Sequence, residues 1–132
     1  MNKRTWEYFT SLDMYPLSAY GMTESAGGVT THSPDHAKLY TTGHPVPGVD
    51  FKIDKPDSDG VGEICMRGRP MFMGYYKNAQ ATQEIYDKEG FLHSGDLGSL
   101  TDGFLEIKGR IKELIITAGG ENVAPVPIGH VY

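Results

Sequence analysis

Glycine and proline recur along the whole chain, and no other feature constrains its fold as strongly. The 132 residues include 17 glycines and 8 prolines, which interrupt the sequence too often for long helices. Apolar side chains make up 39% of the chain, below the ~45–50% usual for globular domains when glycine is counted with them. This composition excludes a helix bundle or coiled coil and favours short strands joined by many turns.

Charge and cysteine content narrow the functional classes. The net charge is −5, which argues against nucleic acid as a partner because such binders need a basic stripe. The single cysteine, Cys65, excludes an internal disulfide and fits a reducing compartment. The sequence has no signal peptide and no apolar run near the ~18–20 residues that span a bilayer. We therefore predict a cytoplasmic location, and peripheral contact with a membrane surface stays open as an alternative.

Local patterns predict a mixture of short elements. Helical spacing of apolar residues predicts a helix over residues 5–12, and Asn78 is a plausible cap for a helix ending near residue 86. Residues 16–20 suggest a buried strand, and residues 21–47 show no clear period. Strands are predicted at 49–53, 62–68, 91–98, 104–108 and 113–117, the last followed by a turn over 118–122.

Three segments carry side chains suited to binding a nucleotide. In the segment Tyr20–Ser25, Thr23 can donate to a phosphate oxygen and Glu24 can hold a divalent cation. Asp96 follows a predicted strand and can accept from both hydroxyls of a ribose. Arg110 offers a planar donor group for phosphate or sugar oxygens. Taken singly, each segment is equally compatible with an ordinary turn or an exposed charged linker.

Together and in this order, the segments resemble the adenylate-forming (AMP-binding) enzymes, which include acyl-CoA synthetases, luciferases and peptide-synthetase adenylation domains. The resemblance covers about residues 5–128. It implies that Tyr20 stacks on adenine, Thr23 contacts the α-phosphate and Glu24 is associated with Mg²⁺, so that Thr23 and Glu24 are the catalytic candidates. By the same resemblance, Asp96 binds the ribose hydroxyls, Arg110 helps to hold the ribose, and further nucleotide contacts fall on Ala19, Gly21 and Met22. The resemblance also places Lys112 at the hinge before the C-terminal subdomain.

Three further runs resemble the long-chain fatty-acid–CoA ligases of the bubblegum type: residues 64–68, 71–75 and 119–128. This resemblance implies an ATP-dependent ligase of fatty acid metabolism that forms an acyl-adenylate and then an acyl-CoA. Its implied substrates and cofactors are ATP (with AMP as product), Mg²⁺, a long-chain fatty acid and CoA.

The departures from the family indicate an internal fragment. The phosphate loop is absent, since residues 41–44 do not match it, and the C-terminal catalytic lysine would lie beyond residue 132. We therefore expect a β-rich α+β fold in three parts: 1–40 as the tail of the N-terminal AMP-binding core, 41–110 as a small antiparallel β-barrel-like subdomain, and 111–132 as the hinge and truncated start of the C-terminal subdomain. Such a chain is expected to be inactive alone and to need the missing segments of its own family as partners.

Three alternatives stay open at this point. The chain could be a non-catalytic truncated product that binds nucleotide weakly or pairs with a full-length protomer, or a small β-rich interaction module without a nucleotide site. A zinc site could be built from Cys65 with His32, His36 and His44, although Pro34 prevents the first two histidines from sharing a helix face. No base lies near Cys65 in sequence, so we predict a packed or half-exposed thiol without a chemical role.

Overall fold

The computed structural model describes residues 3–113, 115–116 and 122–123. Its described elements are short and mostly extended, which confirms the predicted β-rich α+β class. In chain order they are α1 (Lys3–Ser11), β1 (Ala19–Met22), β2 (Gly27–Thr31), β3 (His44–Pro45), β4 (Val49–Asp54), β5 (Gly62–Gly68), α2 (Ala79–Ile85), β6 (Leu92–Thr101), β7 (Phe104–Arg110), β8 (Ile115–Ile116) and β9 (Asn122–Val123).

The predicted N-terminal helix is confirmed as α1. It packs through Trp6, which is only 4% exposed. The helix ends where Asp13 takes the left-handed conformation (φ 57°) and the Met14 N–H donates to the Phe9 carbonyl at 3.0 Å. This hydrogen-bond pattern satisfies carbonyls that the last helical turn leaves unpaired.

Two predictions for the segment after α1 are wrong. The strand expected at residues 16–20 begins at Ala19, and its residues alternate between exposed and half-buried, because β1 is an edge strand of the antiparallel sheet β1-β2-β3. The stretch 21–47, in which no element was expected, contains β2 and β3. Glycine and threonine give β2 no apolar alternation, so its extended conformation depends on its pairing with β1.

A four-stranded antiparallel sheet, in the order β4-β5-β6-β7, forms the larger part of the fold. Three of its predicted strands are confirmed within two residues, and β6 continues to Thr101. Backbone hydrogen bonds join the two sheets at Leu105 on β7. The Thr42 N–H donates to the Leu105 carbonyl at 2.7 Å, the Leu105 N–H donates to the Gly43 carbonyl at 3.0 Å, and Thr42 and Gly43 lead directly into β3. The fully buried core side chains come from both sheets: Val29, Ile64, Met66, Leu92 and Leu105.

The remaining predictions have mixed outcomes. Asn78 caps α2, because its Oδ1 accepts from the Ala81 N–H at 3.1 Å. Glu113 lies in a 3₁₀ helix, Ile111–Glu113, and not in a strand as predicted, whereas Ile115–Ile116 of the predicted strand are extended as β8; residues 114 and 117 lie outside the described residues. The turn over 118–122 falls largely outside the described residues, and the three-part division of the chain stays a prediction. In the described part, no helix combines the length and apolarity needed to cross a membrane.

Candidate functional site

Three of the predicted site residues, far apart in sequence, meet at one carboxylate. The Tyr20 hydroxyl donates to Asp96 Oδ2 at 2.8 Å, across 76 positions of sequence. Arg110 Nε donates to Asp96 Oδ1 at 3.1 Å. The Asp96 residue is 8% exposed, whereas the Arg110 side chain is 67% exposed. The structure therefore brings together side chains from β1, β6 and β7.

Strand register places this carboxylate. Asp96 and Arg110 face each other in the β6–β7 pairing, just before the register shift at Leu97 and Gly98. Directly opposite residues on antiparallel strands are close enough for their side chains to interact. The Asp96 N–H also donates to Ser94 Oγ at 3.1 Å, which fixes the local backbone.

The Tyr20 side chain is held by its surroundings. Burial raises the pKa of Tyr20 well above its ordinary value; the hydrogen bond to Ser94 opposes this rise, and the neighbouring Asp96 carboxylate adds to it. The phenol therefore stays protonated at neutral pH and can act as the donor to Asp96. A carboxylate has about four acceptor positions, so these two contacts leave Asp96 able to accept from a ligand hydroxyl.

Thr23 and Glu24 lie in a short 3₁₀ helix, Thr23–Ser25, which follows β1 directly and is held by hydrogen bonds of Ser25. Ser25 is buried, and its Oγ accepts from the Met22 N–H at 3.0 Å. At Gly21 a Cβ atom would overlap the Gly27 carbonyl, so only glycine fits this close approach of β1 and β2. Sequence and packing together fix where the Thr23 and Glu24 side chains emerge.

Glu24 is tied to the segment that precedes α2. The Tyr75 hydroxyl donates to Glu24 Oε1 at 2.7 Å, and the Phe72 N–H donates to the Glu24 carbonyl at 2.8 Å. The carboxylate pairing raises the pKa of Tyr75. One side of the Glu24 carboxylate is thereby oriented, and its remaining oxygen positions are of the type that Mg²⁺ prefers.

An open cleft of about 870 Å³ lies beside these groups. Its lining includes predicted residues from both ends of the chain, namely Met22, Thr23, Glu24, Arg110 and Lys112. Among the described residues, four glutamates and two permanent cations line it, so the charge of this part of the lining favours a nucleotide that carries a divalent cation over a bare polyphosphate. The four carboxylates belong to Glu24, Glu63, Glu84 and Glu113.

Not every predicted residue reaches this cleft. Ala19, Tyr20, Gly21 and Asp96 are not among its lining residues; Tyr20 and Asp96 belong to the hydrogen-bonded group described above, of which Arg110 lines the cleft. Lys112 does face the cleft, within the 3₁₀ helix that follows β7. A short 3₁₀ segment after a strand is compatible with a hinge, and the hinge stays a prediction.

The histidines of the hypothetical zinc site are engaged elsewhere. His32 Nδ1 accepts from the Ser18 N–H at 3.1 Å, its Nε2 lies 2.9 Å from Thr41 Oγ1, and the His44 ring packs on Phe104 at 3.9 Å. Burial lowers the pKa of His32, which fits a neutral ring with one accepting and one donating nitrogen. These contacts account for His32 and His44 without a metal ion.

Sequence reasoning missed a different group around Cys65. The Sγ atom lies 3.5 Å from His93 Nδ1, and His93 Nδ1 lies 2.8 Å from Glu63 Oε2. A base does therefore lie near this thiol, contrary to the expectation from the sequence. The alternation Glu63, Ile64, Cys65 indicates that the two polar residues share a strand face, but only the register of β5 against β6 brings His93 opposite Cys65.

Comparison with known proteins identifies the family. The family model described as AMP-binding enzyme matches residues 1–76. The chain belongs to this AMP-binding enzyme family. It is 52% identical over 129 residues to the long-chain-fatty-acid–CoA ligase ACSBG2 of Gallus gallus, a match that covers 97% of this chain and 17% of the relative. The ligase ACSBG1 of Homo sapiens is 49% identical, with 97% and 18% covered.

Two solved structures with ATP bound share the fold of this chain. ATP-bound MatB from Rhodopseudomonas palustris matches with a TM-score of 0.85 and 30% identity, over 95% of this chain and 26% of that one. The O-succinylbenzoate coenzyme A synthetase MenE of Bacillus subtilis, in complex with ATP and magnesium, matches with a TM-score of 0.80 and 30% identity, covering 96% and 28%. The chain thus spans less than a third of each protein it resembles.

Proposed function

We propose that this chain is the adenosine- and α-phosphate-binding segment of an ATP-dependent long-chain fatty-acid–CoA ligase. The observation that carries the proposal is the meeting of Tyr20, Asp96 and Arg110 beside the cleft that Thr23 and Glu24 line. The relatives of 49–52% identity are named as long-chain-fatty-acid–CoA ligases, which supports the substrate class. The proposed substrates are ATP, a long-chain fatty acid and CoA.

The proposed roles are those that the family resemblance implies, and the geometry of each side chain supports them. Asp96, already oriented by two donors, accepts from the ribose hydroxyls, and Arg110 approaches the same sugar from β7. Thr23 is exposed at the cleft and donates its hydroxyl to the α-phosphate. Glu24, held on one side by Tyr75, keeps carboxylate positions for Mg²⁺. When bound, Mg²⁺ would neutralise charge that develops on the phosphates during adenylation.

Nucleotide titration of the 132-residue chain tests the binding part. We expect AMP to bind with or without Mg²⁺, and ATP to bind more tightly when Mg²⁺ is present. Glu24→Gln should remove the Mg²⁺ effect on ATP and leave AMP affinity unchanged, because AMP contacts do not need the cation. Glu84→Gln, a carboxylate of the same cleft, is the matched control. A folded chain that binds neither nucleotide would refute the proposal.

A chimera tests the ligase part. This chain is to replace the matching 129 residues of the Gallus gallus ligase, and acyl-CoA formation from a radiolabelled long-chain fatty acid is to be measured. We expect the chimera to form acyl-CoA and the 132-residue chain alone to form none. In the chimera, Asp96→Ala should weaken ATP binding by about 10–150-fold, which corresponds to ~1.5–3 kcal/mol for a charge-assisted hydrogen bond. A folded but inactive chimera would contradict the assignment.

A further inference from the structure

A group of potential metal ligands lies on the larger sheet, apart from the proposed Mg²⁺ position at Glu24. Glu63, Cys65 and His93 each offer one ligand atom, and the three atoms lie within 4.8 Å of one another. Cys65 and His93 are directly opposite each other on β5 and β6, and Glu63 lies two residues before Cys65 on the same strand. We propose that these three side chains form a binding site for Zn²⁺ or a similar borderline-soft divalent cation.

The distances already approach those of a tetrahedral site. With Zn–S near ~2.3 Å and Zn–N and Zn–O near ~2.0–2.1 Å, the ligand atoms should lie about 3.5 Å (S to N) and about 3.3 Å (N to O) apart. The observed Sγ to Nδ1 distance is 3.5 Å, and Nδ1 to Glu63 Oε2 is 2.8 Å. To admit an ion, Glu63 Oε2 would have to move outward by about 0.5 Å, while Glu63 Oε1 is held by the Gly95 N–H at 2.9 Å.

A carboxylate lies near the second ring nitrogen of His93, at a distance longer than a hydrogen bond. A ligating imidazole usually donates its other ring N–H to a carboxylate, which fixes the ring. Here His93 Nε2 faces Asp87 Oδ2 at 3.7 Å, and Asp87 is in turn held by Lys52 Nζ at 2.6 Å. This supporting pair is present without any ion and is independent of the three proposed ligands.

The charge of the three side chains and their access from the cleft also fit a bound divalent cation. One thiolate and one carboxylate balance a divalent cation, with the imidazole neutral. Cys65 is fully buried, while the side chains of His93 and Glu63 are 26% and 21% exposed and line the cleft. An ion can therefore enter from the cleft, and the fourth coordination position would face it.

Ion binding changes the protonation of two of the three ligands. On binding, the thiol proton leaves to solvent and Sγ bonds to the cation. The imidazole proton moves from Nδ1 to Nε2, on the side of the ring that faces Asp87. One proton is released for each ion bound.

Cobalt(II) titration of the reduced 132-residue chain tests this site. A thiolate bound to Co²⁺ gives a charge-transfer absorption band in the near ultraviolet. Because Cys65 is the single cysteine, this band in the wild-type chain can arise only from Cys65. We expect the band to saturate at one equivalent, to be displaced by Zn²⁺ and to resist excess Mg²⁺, which disfavours thiolate ligands.

Variants then separate the ligands from unrelated residues. Cys65→Ser should abolish the band, and Asp87→Asn should weaken Co²⁺ affinity by about 10–100-fold. His36→Gln, an exposed histidine, is the matched control and should change neither. A folded wild-type chain without the band, or Zn²⁺ affinity unchanged in Cys65→Ser, would overturn the proposal. If Cys65→Ser does not fold, the wild-type titration alone decides, and neither result depends on nucleotide binding.

Discussion

The hydrogen bond between Tyr20 and Asp96 should be the stronger of the two contacts that hold the carboxylate. Asp96 is 8% exposed, so its pair with the half-buried Tyr20 hydroxyl is shielded from water and should contribute about 1.5–3 kcal/mol, as charge-assisted bonds do. The Arg110 side chain is 67% exposed, and exposed ion pairs contribute only about 0–1 kcal/mol. The structure therefore predicts unequal coupling energies around one carboxylate.

Two double-mutant cycles measure this inequality. The first combines Asp96→Ala with Tyr20→Phe, and the second combines Asp96→Ala with Arg110→Ala. The free energy of unfolding of each variant is to be measured by urea denaturation, followed by circular dichroism. We expect a coupling of about 1 kcal/mol or more in the first cycle and a smaller one in the second.

Tyr76→Phe is the matched control for loss of a tyrosine hydroxyl, because Tyr76 is 88% exposed. This substitution should change the free energy of unfolding by less than about 0.5 kcal/mol. Additive effects of Tyr20→Phe and Asp96→Ala, or a coupling to Arg110 larger than that to Tyr20, would show that burial does not set the strength of these contacts.

Three further predictions concern the turn, a buried histidine and the cation. Gly21→Ala should lower the free energy of unfolding by more than about 1 kcal/mol, because the added Cβ overlaps backbone atoms. Gly28→Ala is the control and should leave the free energy of unfolding nearly unchanged, because no atom lies nearer than 4.0 Å to its added Cβ. Equal denaturation midpoints for the two variants would contradict this prediction. Since burial lowers the pKa of His32 below its ordinary 6.5, the unfolded chain takes up the proton first and stability should fall as pH drops below about 6.5. Fluorescence of the neighbouring Trp6 reports this loss during unfolding, and a stability that is the same at pH 5 and pH 7.5 would refute it. Glu24→Gln should weaken Mg²⁺ binding to the ATP-bound chain, seen by calorimetry, and an unchanged Mg²⁺ affinity would remove the metal assignment.

The sequence predicted those elements whose pattern is local. Strand β5 shows its boundaries through flanking glycines, and Asn78 marks the start of α2 through its capping side chain. Strand β2 could not be predicted, because its run of glycine and threonine carries no alternation and is held extended by β1. The position of β1 was misjudged for a different reason: the apolar run 16–20 suggested a buried strand, but Leu17 is exposed and β1 begins only at Ala19, as an edge strand.

For the candidate site, motif order identified the residues but not their contacts. The resemblance pointed to Tyr20, Asp96 and Arg110 separately. It gave no indication that Tyr20 and Arg110 both donate hydrogen bonds to the Asp96 carboxylate. That arrangement depends on strand register, which a single sequence does not reveal. The contact of Tyr75 with Glu24 was missed on the same grounds, because the two residues lie 51 positions apart.

The contacts that build the site also link nucleotide binding to folding. Tyr20 lies on the edge strand of one sheet and Asp96 on a central strand of the other, so their hydrogen bond ties the two sheets together. Under the proposed function, a nucleotide that engages Asp96 binds the folded chain and not the unfolded one. Binding should therefore raise the free energy of unfolding by RT ln(1 + [L]/Kd), which grows with the logarithm of the ligand concentration once this exceeds Kd. In Asp96→Ala the bond is lost and the nucleotide binds more weakly, so the same AMP concentration should raise the melting temperature less than in the wild-type chain; an equal rise in both chains would refute the role of Asp96.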